Sequence, residues 1–415
     1  MNKIYKVIWS HVKQCYVVTS ELAKAHGRTS IGGGTSRLAV AALTAFVLTA
    51  GVTSVGLANT GDNANDVAVV FDDKGSLMST DATINHEHEN GYNITNVSKG
   101  IALGNHAHVY NQGGSKANAM LFKSPTYTSG IAIGENAYAL EDSIDLGNKI
   151  YKGAMGDVSD LSKYDAQTSS GTGRLLIGNN SYSSGTLSTL IGNHSIMTTN
   201  YLNGGSRWNA MQNAGAVSIG ALNSIESYSS KSSMSGVANS IIGLANKTTN
   251  ANGALILGAG NEIKNLITSI SVSGSASTDV ATASQAIRDR MANGYAGGAT
   301  LVIGGGNKAD YTQKTQIIGV NNKVTGTEDM PADYNLIDGY KNTATHVKHA
   351  TVIGSGNTVS GEEKDNVEGL ILLGDNRNVW KQADHSVVIG SSDDTGHSYV
   401  TRPNTVVIGH NAYIY

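Results

Sequence analysis

One step recurs along this chain at fifteen glycines, in thirteen of them complete: an aliphatic residue, then glycine, then asparagine within a few residues. It reads IALGNHA at Ile101, IAIGENA at Ile131, LLIGNNS at Leu175 and LILGAGN at Leu255, and continues to VVIGSS at Val387 and VVIGHNA at Val406. The glycines are Gly104, Gly134, Gly147, Gly178, Gly192, Gly220, Gly243, Gly258, Gly304, Gly319, Gly339, Gly354, Gly374, Gly390 and Gly409. Ile or Leu precedes fourteen of the fifteen, Asp338 being the exception, and Asn follows all but Gly390 within four residues. Six of the fourteen gaps are 13–16 residues, and those of 28, 30 and 31 are near two such steps. Gaps of 19, 20, 20 and 23 read as one step plus a small loop. The 46-residue gap from Gly258 to Gly304 reads as three steps, or as one with a large insertion.

A period of about 14 residues is too short for a helical repeat pair, which needs over about 30. It fits two short strands and two turns, the smallest rung that can stack on itself. Alternation along a strand puts the residue before each glycine and the apolar residue two earlier on one side. The sequence reading takes that side as the core: Leu103, Ile133, Ile177, Ile191, Ile219, Ile242, Leu257, Ile303, Ile318, Ile353, Leu373, Ile389 and Ile408. Burying each such side chain stabilises by about 1.5–3 kcal/mol. A single rung cannot bury its face alone, so rungs must pile up. Glycine supplies positive φ at the turn, Asn tolerates the left-handed region, and Asn repeated at one register can form ladders between rungs.

The expected fold is therefore all-β, a parallel β-roll or β-solenoid with loop insertions and an interior about one aliphatic layer thick. A generic Gly-rich sandwich would show no fixed register. Composition agrees: there are 50 Gly against 3 Pro, 3 Phe and 3 Trp, too few aromatics for a thick core. The glycines have no G-X-Y period, which excludes collagen. Thin rolls leave apolar surface uncovered and are expected to associate.

Segments that leave the pattern are 149–174, 193–215, 262–299, 320–335 and 358–368. Loops on a rigid scaffold carry recognition, and Tyr201 with Trp208 in one insertion, or Tyr151 with Tyr164 in another, are candidate ligand contacts. Ala283–Ala292 reads as a short helix. His86-Glu87-His88-Glu89 puts two His on one face of an extended strand, short of the three or four ligands a metal site needs. His385, His397, Asp393 and Asp394 suggest acid–base chemistry by type, but no nucleophile or oxyanion donor accompanies them. Gly304-Gly305-Gly306 is not a dinucleotide loop, since no βαβ unit follows. The expectation is a non-enzyme with no catalytic, cofactor-binding or metal residues, and no cofactor.

The N-terminus is separate from all of this. Arg28 and Arg37 precede the apolar run Leu38–Gly51, and small residues follow, with Gly56-Leu57-Ala58 as a cleavage zone. The chain thus divides into a leader at 1–58, an N-terminal mature segment at 59–98 and repeats at 99–415. The single cysteine, Cys15, lies in the leader, so the mature chain has none, which suits passage through an oxidising compartment. The first 58 residues hold six of the 29 Lys and Arg and one of the 32 Asp and Glu, leaving 23 bases against 31 acids. A surface of that sign disfavours nucleic acid and anionic lipid.

The opening thirty residues, through Met1–Lys6, Val7-Ile8-Trp9, Tyr16-Val17-Val18, Ser20-Glu21 and Ala23-Lys24, resemble the extended signal peptide region of type V secretion proteins. That resemblance implies export to the periplasm, removal of the leader and passage to the cell surface or outer membrane. It does not choose among autotransporters, trimeric autotransporters and two-partner exoproteins. The I-G-x-x-N/S repeats from Ile101 to Tyr415 are similar to the YadA-like heads of trimeric autotransporter adhesins. This second resemblance implies a left-handed roll, a homotrimer, and adhesion to host extracellular matrix, host cells or bacterial surface receptors. The family also carries a coiled-coil stalk and a membrane anchor; no sustained heptads occur here, and outer-membrane attachment is expected only through an anchor outside this chain. Two other classes predict different features. A polysaccharide-active β-helix enzyme would use longer rungs and a carboxylate-lined groove, and an ice-binding or structural roll would show flat Thr arrays.

Overall fold

The computed structural model describes residues 5–10, 15–20, 69–71, 77–79, 83–85, 100–110, 129–140, 142–148, 173–183, 185–199, 212–227, 235–266, 279–293, 300–393 and 398–415. It has two compact units, Met1–Val55 and Gly56–Tyr415. In the first, Tyr5–Ser10 and Cys15–Ser20 pair antiparallel from Tyr5↔Ser20 to Ser10↔Cys15.

The second unit is a stack of parallel rungs. All fifteen repeat segments are strands of one column, each paired in parallel with the next from Ile101–Leu103 to Val406–Ile408. Below them Leu77–Ser79 pairs in parallel with Ile101–Leu103, and Val69–Phe71 pairs antiparallel with Leu77–Ser79, so stacking begins before residue 99. No pairing joins the first strand of the column to the last among the described residues, so the column is an open stack and not a barrel.

A second column faces away from the first. Thr83–Asn85, His108–Tyr110 and Tyr138–Leu140 form its lower part. Eleven strands from Tyr182–Ser183 to Tyr399–Val400 form its upper part. Between 312 and 368 each rung gains a third side, the two-residue strands Thr312–Gln313, Ala332–Asp333, Val347–Lys348 and Val367–Glu368. These rungs are three-sided, one side more than two strands and two turns provide.

The glycines lie in one file. At every repeat glycine from Gly104 to Gly390, an added Cβ would collide with the carbonyl oxygen of the next glycine up, and φ lies between +110° and +154°. Backbones meet here at a distance no side chain allows. The long gaps are single rungs. Ile101–Leu103 pairs directly with Ile131–Ile133, Ile144–Leu146 with Leu175–Ile177, and Thr189–Ile191 with Val217–Ile219. Leu255–Ala259 likewise pairs with Leu301–Gly305, so the 46-residue gap is one rung with an excursion, not three. In that excursion α1 spans Val280–Asn293. Asp279 caps it, accepting bonds from the Thr282 N–H at 2.7 Å and the Thr282 hydroxyl at 2.7 Å, which hold its carboxyl below the ordinary range.

The core is built from different residues than the sequence reading chose. Each first-column strand turns its second side chain inward: Ala102, Ala132, Leu176, Leu190, Ile241, Ile256, Val302, Ile317, Ile337, Val352, Leu372, Val388 and Val407 are buried, with Asp145 and Ser218 in the same file. Val109, Met197, Ile225, Ile263, Val324, Val359 and Val379 come in from the second column, and Val347 and Val367 from the third. The residues before the glycines face out. Leu103, Ile303 and Ile318 are half-buried, while Ile133, Ile177, Ile191, Ile219, Ile242, Leu257, Ile353, Leu373, Ile389 and Ile408 are exposed. The alternation was right and its phase was off by one residue, which exchanges the two faces of a strand. A strand whose second residue points at the axis must send the first and third outward.

Candidate functional site

The middle of the stack is fixed internally by side chains three residues after the glycine, a position that turns into the interior from Gly178 to Gly374. Asn223, Asn246, Asn261, Asn307, Asn322, Asn342 and Asn357 occupy it on consecutive rungs, all fully buried. The Oδ1 of each of the first six accepts the backbone N–H of the next rung's Asn at 2.9–3.1 Å. The Nδ2 of each donates to the glycine carbonyl one rung up at 2.7–2.9 Å. Buried polar groups cost free energy unless paired, and here each amide satisfies a group its own rung cannot. Ser195 and Ser181 extend the file downward, where the Asn223 N–H donates to Ser195 Oγ at 3.2 Å and the Ser195 N–H to Ser181 Oγ at 3.1 Å.

Arg377 ends the asparagine run from the same position. Its side chain is fully buried, its N–H donates to Asn357 Oδ1 at 3.0 Å, and its guanidinium donates to the carbonyls of Gly390, Gly409 and Ala412. One planar fork thus serves three carbonyls over the last rungs, and burial lowers its pKa from the ordinary value. A second buried arginine, Arg174, donates to the carbonyls of Ser183 and Tyr138. Next to it, burial pushes the Tyr182 phenol above its ordinary value while the Arg174 charge pulls the other way.

Outside, the two columns differ in chemistry. The first presents parallel files of aliphatic side chains, with Ile219, Ile242 and Leu257 at 39%, 41% and 47% exposure on successive rungs. With rungs about 4.8 Å apart, fifteen of them make an apolar ladder roughly 70 Å long. Asp338 interrupts it, paired between Ile318 and Ile353. The second column is polar. Lys247, Glu262, Lys308 and Lys323 succeed one another in one file, with Lys247 bonded to Glu226 at 2.9 Å and Lys264 to Glu262 at 2.8 Å. The Glu262 contact raises the Lys264 pKa. Further up, the outer residues become Thr343, Thr358, Asn378 and Tyr399, beside Thr345, Ser360 and Trp380.

That upper end holds a cavity of about 420 Å³ lined by Thr358, Ser360, Gly361, Glu362, Asn378, Trp380, Lys381 and Tyr399. Trp380 is half exposed and meets Tyr399 edge-on, ring centres 5.8 Å apart. Lys381 Nζ donates to Glu362 Oε1 at 2.6 Å.

Of the residues singled out from sequence, the glycines stand together and the aliphatics form the outer ladder. Tyr201, Trp208, Tyr151, Tyr164, the His86–Glu89 run, Asp394 and His397 lie outside the described residues. Asp393 pairs with His410 at 3.1 Å, and His385 folds over Gly369 on the opposite side of its rung, so the two are not brought into one site. Sequence reasoning missed Arg377, Arg174 and Trp380. Arg377 was findable, because counting three past Gly374 lands on it where seven other rungs carry Asn.

Residues 1–50 match the family model described as Extended Signal Peptide of Type V secretion system. The chain carries a type V export leader. This directs it across the inner membrane and toward the outer membrane and cell surface, and makes the stacked repeats the passenger of that route. No curated protein and no solved structure matches the chain.

Proposed function

We propose that the passenger is the surface-exposed head of a trimeric autotransporter adhesin, a homotrimer of left-handed YadA-like rolls that binds host matrix, host cells or other bacteria without catalysis. The observation that carries this reading is the aliphatic ladder on the first column. Contiguous apolar patches beyond a few hundred Å² rarely stay open to water, and this one runs the length of the stack. A ladder repeating at every rung but that of Asp338 is matched most simply by an identical ladder, so a second and third copy of the chain cover it in register. Three copies around one axis then turn their polar second columns outward, giving a rigid head with three equal faces and added avidity. A coat of mature chain with more acids than bases suits recognition of proteins or glycans over nucleic acid.

The test is attachment. Beads coated with the purified exported chain are offered collagen, fibronectin, mucin and partner bacteria. The reading expects saturable attachment to at least one surface. Attachment to none, or turnover of a polysaccharide substrate by the same preparation, overturns it.

A further inference from the structure

From the upper second column we infer that this chain binds neutral saccharides, through Trp380 with Thr358, Ser360 and Asn378. The inference deepens the adhesive reading by naming a ligand class, and rests on that reading only for its biological role.

The argument begins with a change of chemistry along one file. Below Thr343 one outward file carries Lys247, Glu262, Lys308 and Lys323, and the file beside it includes Lys264 and Asp310; from Thr343 to Tyr399 the outward strand positions carry hydroxyls, an amide and aromatic rings, with no charge among them. Into this neutral surface the register puts Trp380 beside Ser360, and Asn378 between Thr358 and Tyr399. A tryptophan left half in water forgoes a large burial gain, and here its exposed indole forms one wall of a cavity whose other strand residues are all polar. The cavity of about 420 Å³ lies within the size range of small-molecule sites.

Other ligand classes fit this surface poorly. A peptide adding as a strand needs an open edge, and Thr358–Ser360 is already paired on both sides, with Thr343–Thr345 and Asn378–Trp380. An anion needs available cations, and Lys381 is committed to Glu362 at 2.6 Å. An apolar ligand would cover the Thr358 and Ser360 hydroxyls without offering them a polar group. A pyranose meets these demands together. Its C–H face packs on an indole, and its ring of hydroxyls both donates and accepts, matching the Thr358 and Ser360 hydroxyls and the Asn378 amide, whose Nδ2 also meets Ser398 Oγ at 3.1 Å. The surrounding strands are held in the hydrogen-bonded stack, so the site is rigid before the ligand arrives.

The test uses the purified exported chain and a panel of neutral methyl glycosides and oligosaccharides of glucose, galactose, mannose and their N-acetylhexosamines, with sialylated and sulfated glycans beside them. Binding is read by array and by saturation-transfer NMR. The expected result is saturable binding of at least one neutral saccharide, weakened about tenfold by Trp380→Ala and less by Trp380→Phe, which keeps a ring. Circular dichroism and melting temperature should not change in either variant, because the side chain lies outside the core. Three results overturn the inference: no neutral saccharide binds, binding survives Trp380→Ala, or only anionic glycans bind. Beads that attach equally well with wild type and Trp380→Ala defeat the inference and leave the adhesive reading standing. Saccharide binding by a chain that attaches to no surface does the reverse.

Discussion

Replacing Asn322 by Ala should cost this protein far more stability than replacing the asparagine beside it. Asn322 is fully buried; its Nδ2 donates to Asn307 Oδ1 at 3.1 Å, Ile318 O at 3.1 Å and Gly339 O at 2.9 Å, and its Oδ1 accepts from the Asn342 N–H at 3.0 Å and Asn342 Nδ2 at 3.1 Å. Some partners keep a second contact: Asn307 Oδ1 still accepts the backbone N–H of residue 322, and Asn342 Nδ2 still reaches Gly354 O. The bonds lost with no replacement among the side chains are those to the Gly339 carbonyl and the Asn342 N–H. Each buried group left unpaired costs about 1–3 kcal/mol, so with two of them Asn322→Ala should lose about 2–6 kcal/mol. Asn321 is exposed at φ 57°, and Asn321→Ala should lose only about 1 kcal/mol, the cost of a β-carbon in the left-handed region. Guanidinium denaturation followed by far-UV circular dichroism, at equal protein concentration, measures both. If the two variants fall within about 1 kcal/mol of each other, the amide file is not what holds the rungs in register.

Gly258→Ala should prevent normal stacking at its rung, since its Cβ would overlap the Gly304 carbonyl at φ 140°. Gly260→Ala, with its nearest neighbour 3.9 Å away at φ 65°, should cost about 1 kcal/mol, and denaturation midpoints separate them. Arg377→Ala should strip hydrogen-exchange protection from Val387–Ile389 and Val406–Ile408 while leaving Leu301–Gly305 protected, because the carbonyls of Gly390, Gly409 and Ala412 lose their donor. Asp333 is held above the ordinary carboxylate range by burial, with the Lys314 charge opposing, so its ionised form weakens the fold at neutral pH and the penalty fades as pH falls toward the unfolded value. Asp333→Asn should therefore melt higher than wild type at pH 7 and level with it at pH 3.5, as thermal scans at both pH values would show.

The register of the fold was legible because its chemistry is local and repeated: a glycine whose φ no other residue accepts, then an asparagine bound to the next rung. The phase of the strands was not. Period-two alternation separates faces only when one is polar, and here both faces of LVIG at Leu301 or LILG at Leu255 are aliphatic. The choice then fell on the more regular file, whose regularity reflects the outer ladder. Long gaps misled because an excursion of about one period is indistinguishable by length from an added rung. The third side, with strands as short as Ala332–Asp333, is too brief to leave a pattern. Trp380 belongs to no repeat, and its role emerges only when pairing sets it beside Ser360 and against Tyr399.

Everything functional depends on what covers the outward aliphatic file, and the mass of the exported chain in solution decides it most directly. Sedimentation equilibrium should return three chain masses for the wild type and one for Ile242→Glu with Leu257→Glu, both residues being outward and about half exposed, with the circular dichroism spectrum preserved. A wild type that sediments as a single chain, its ladder open to water, would contradict the account.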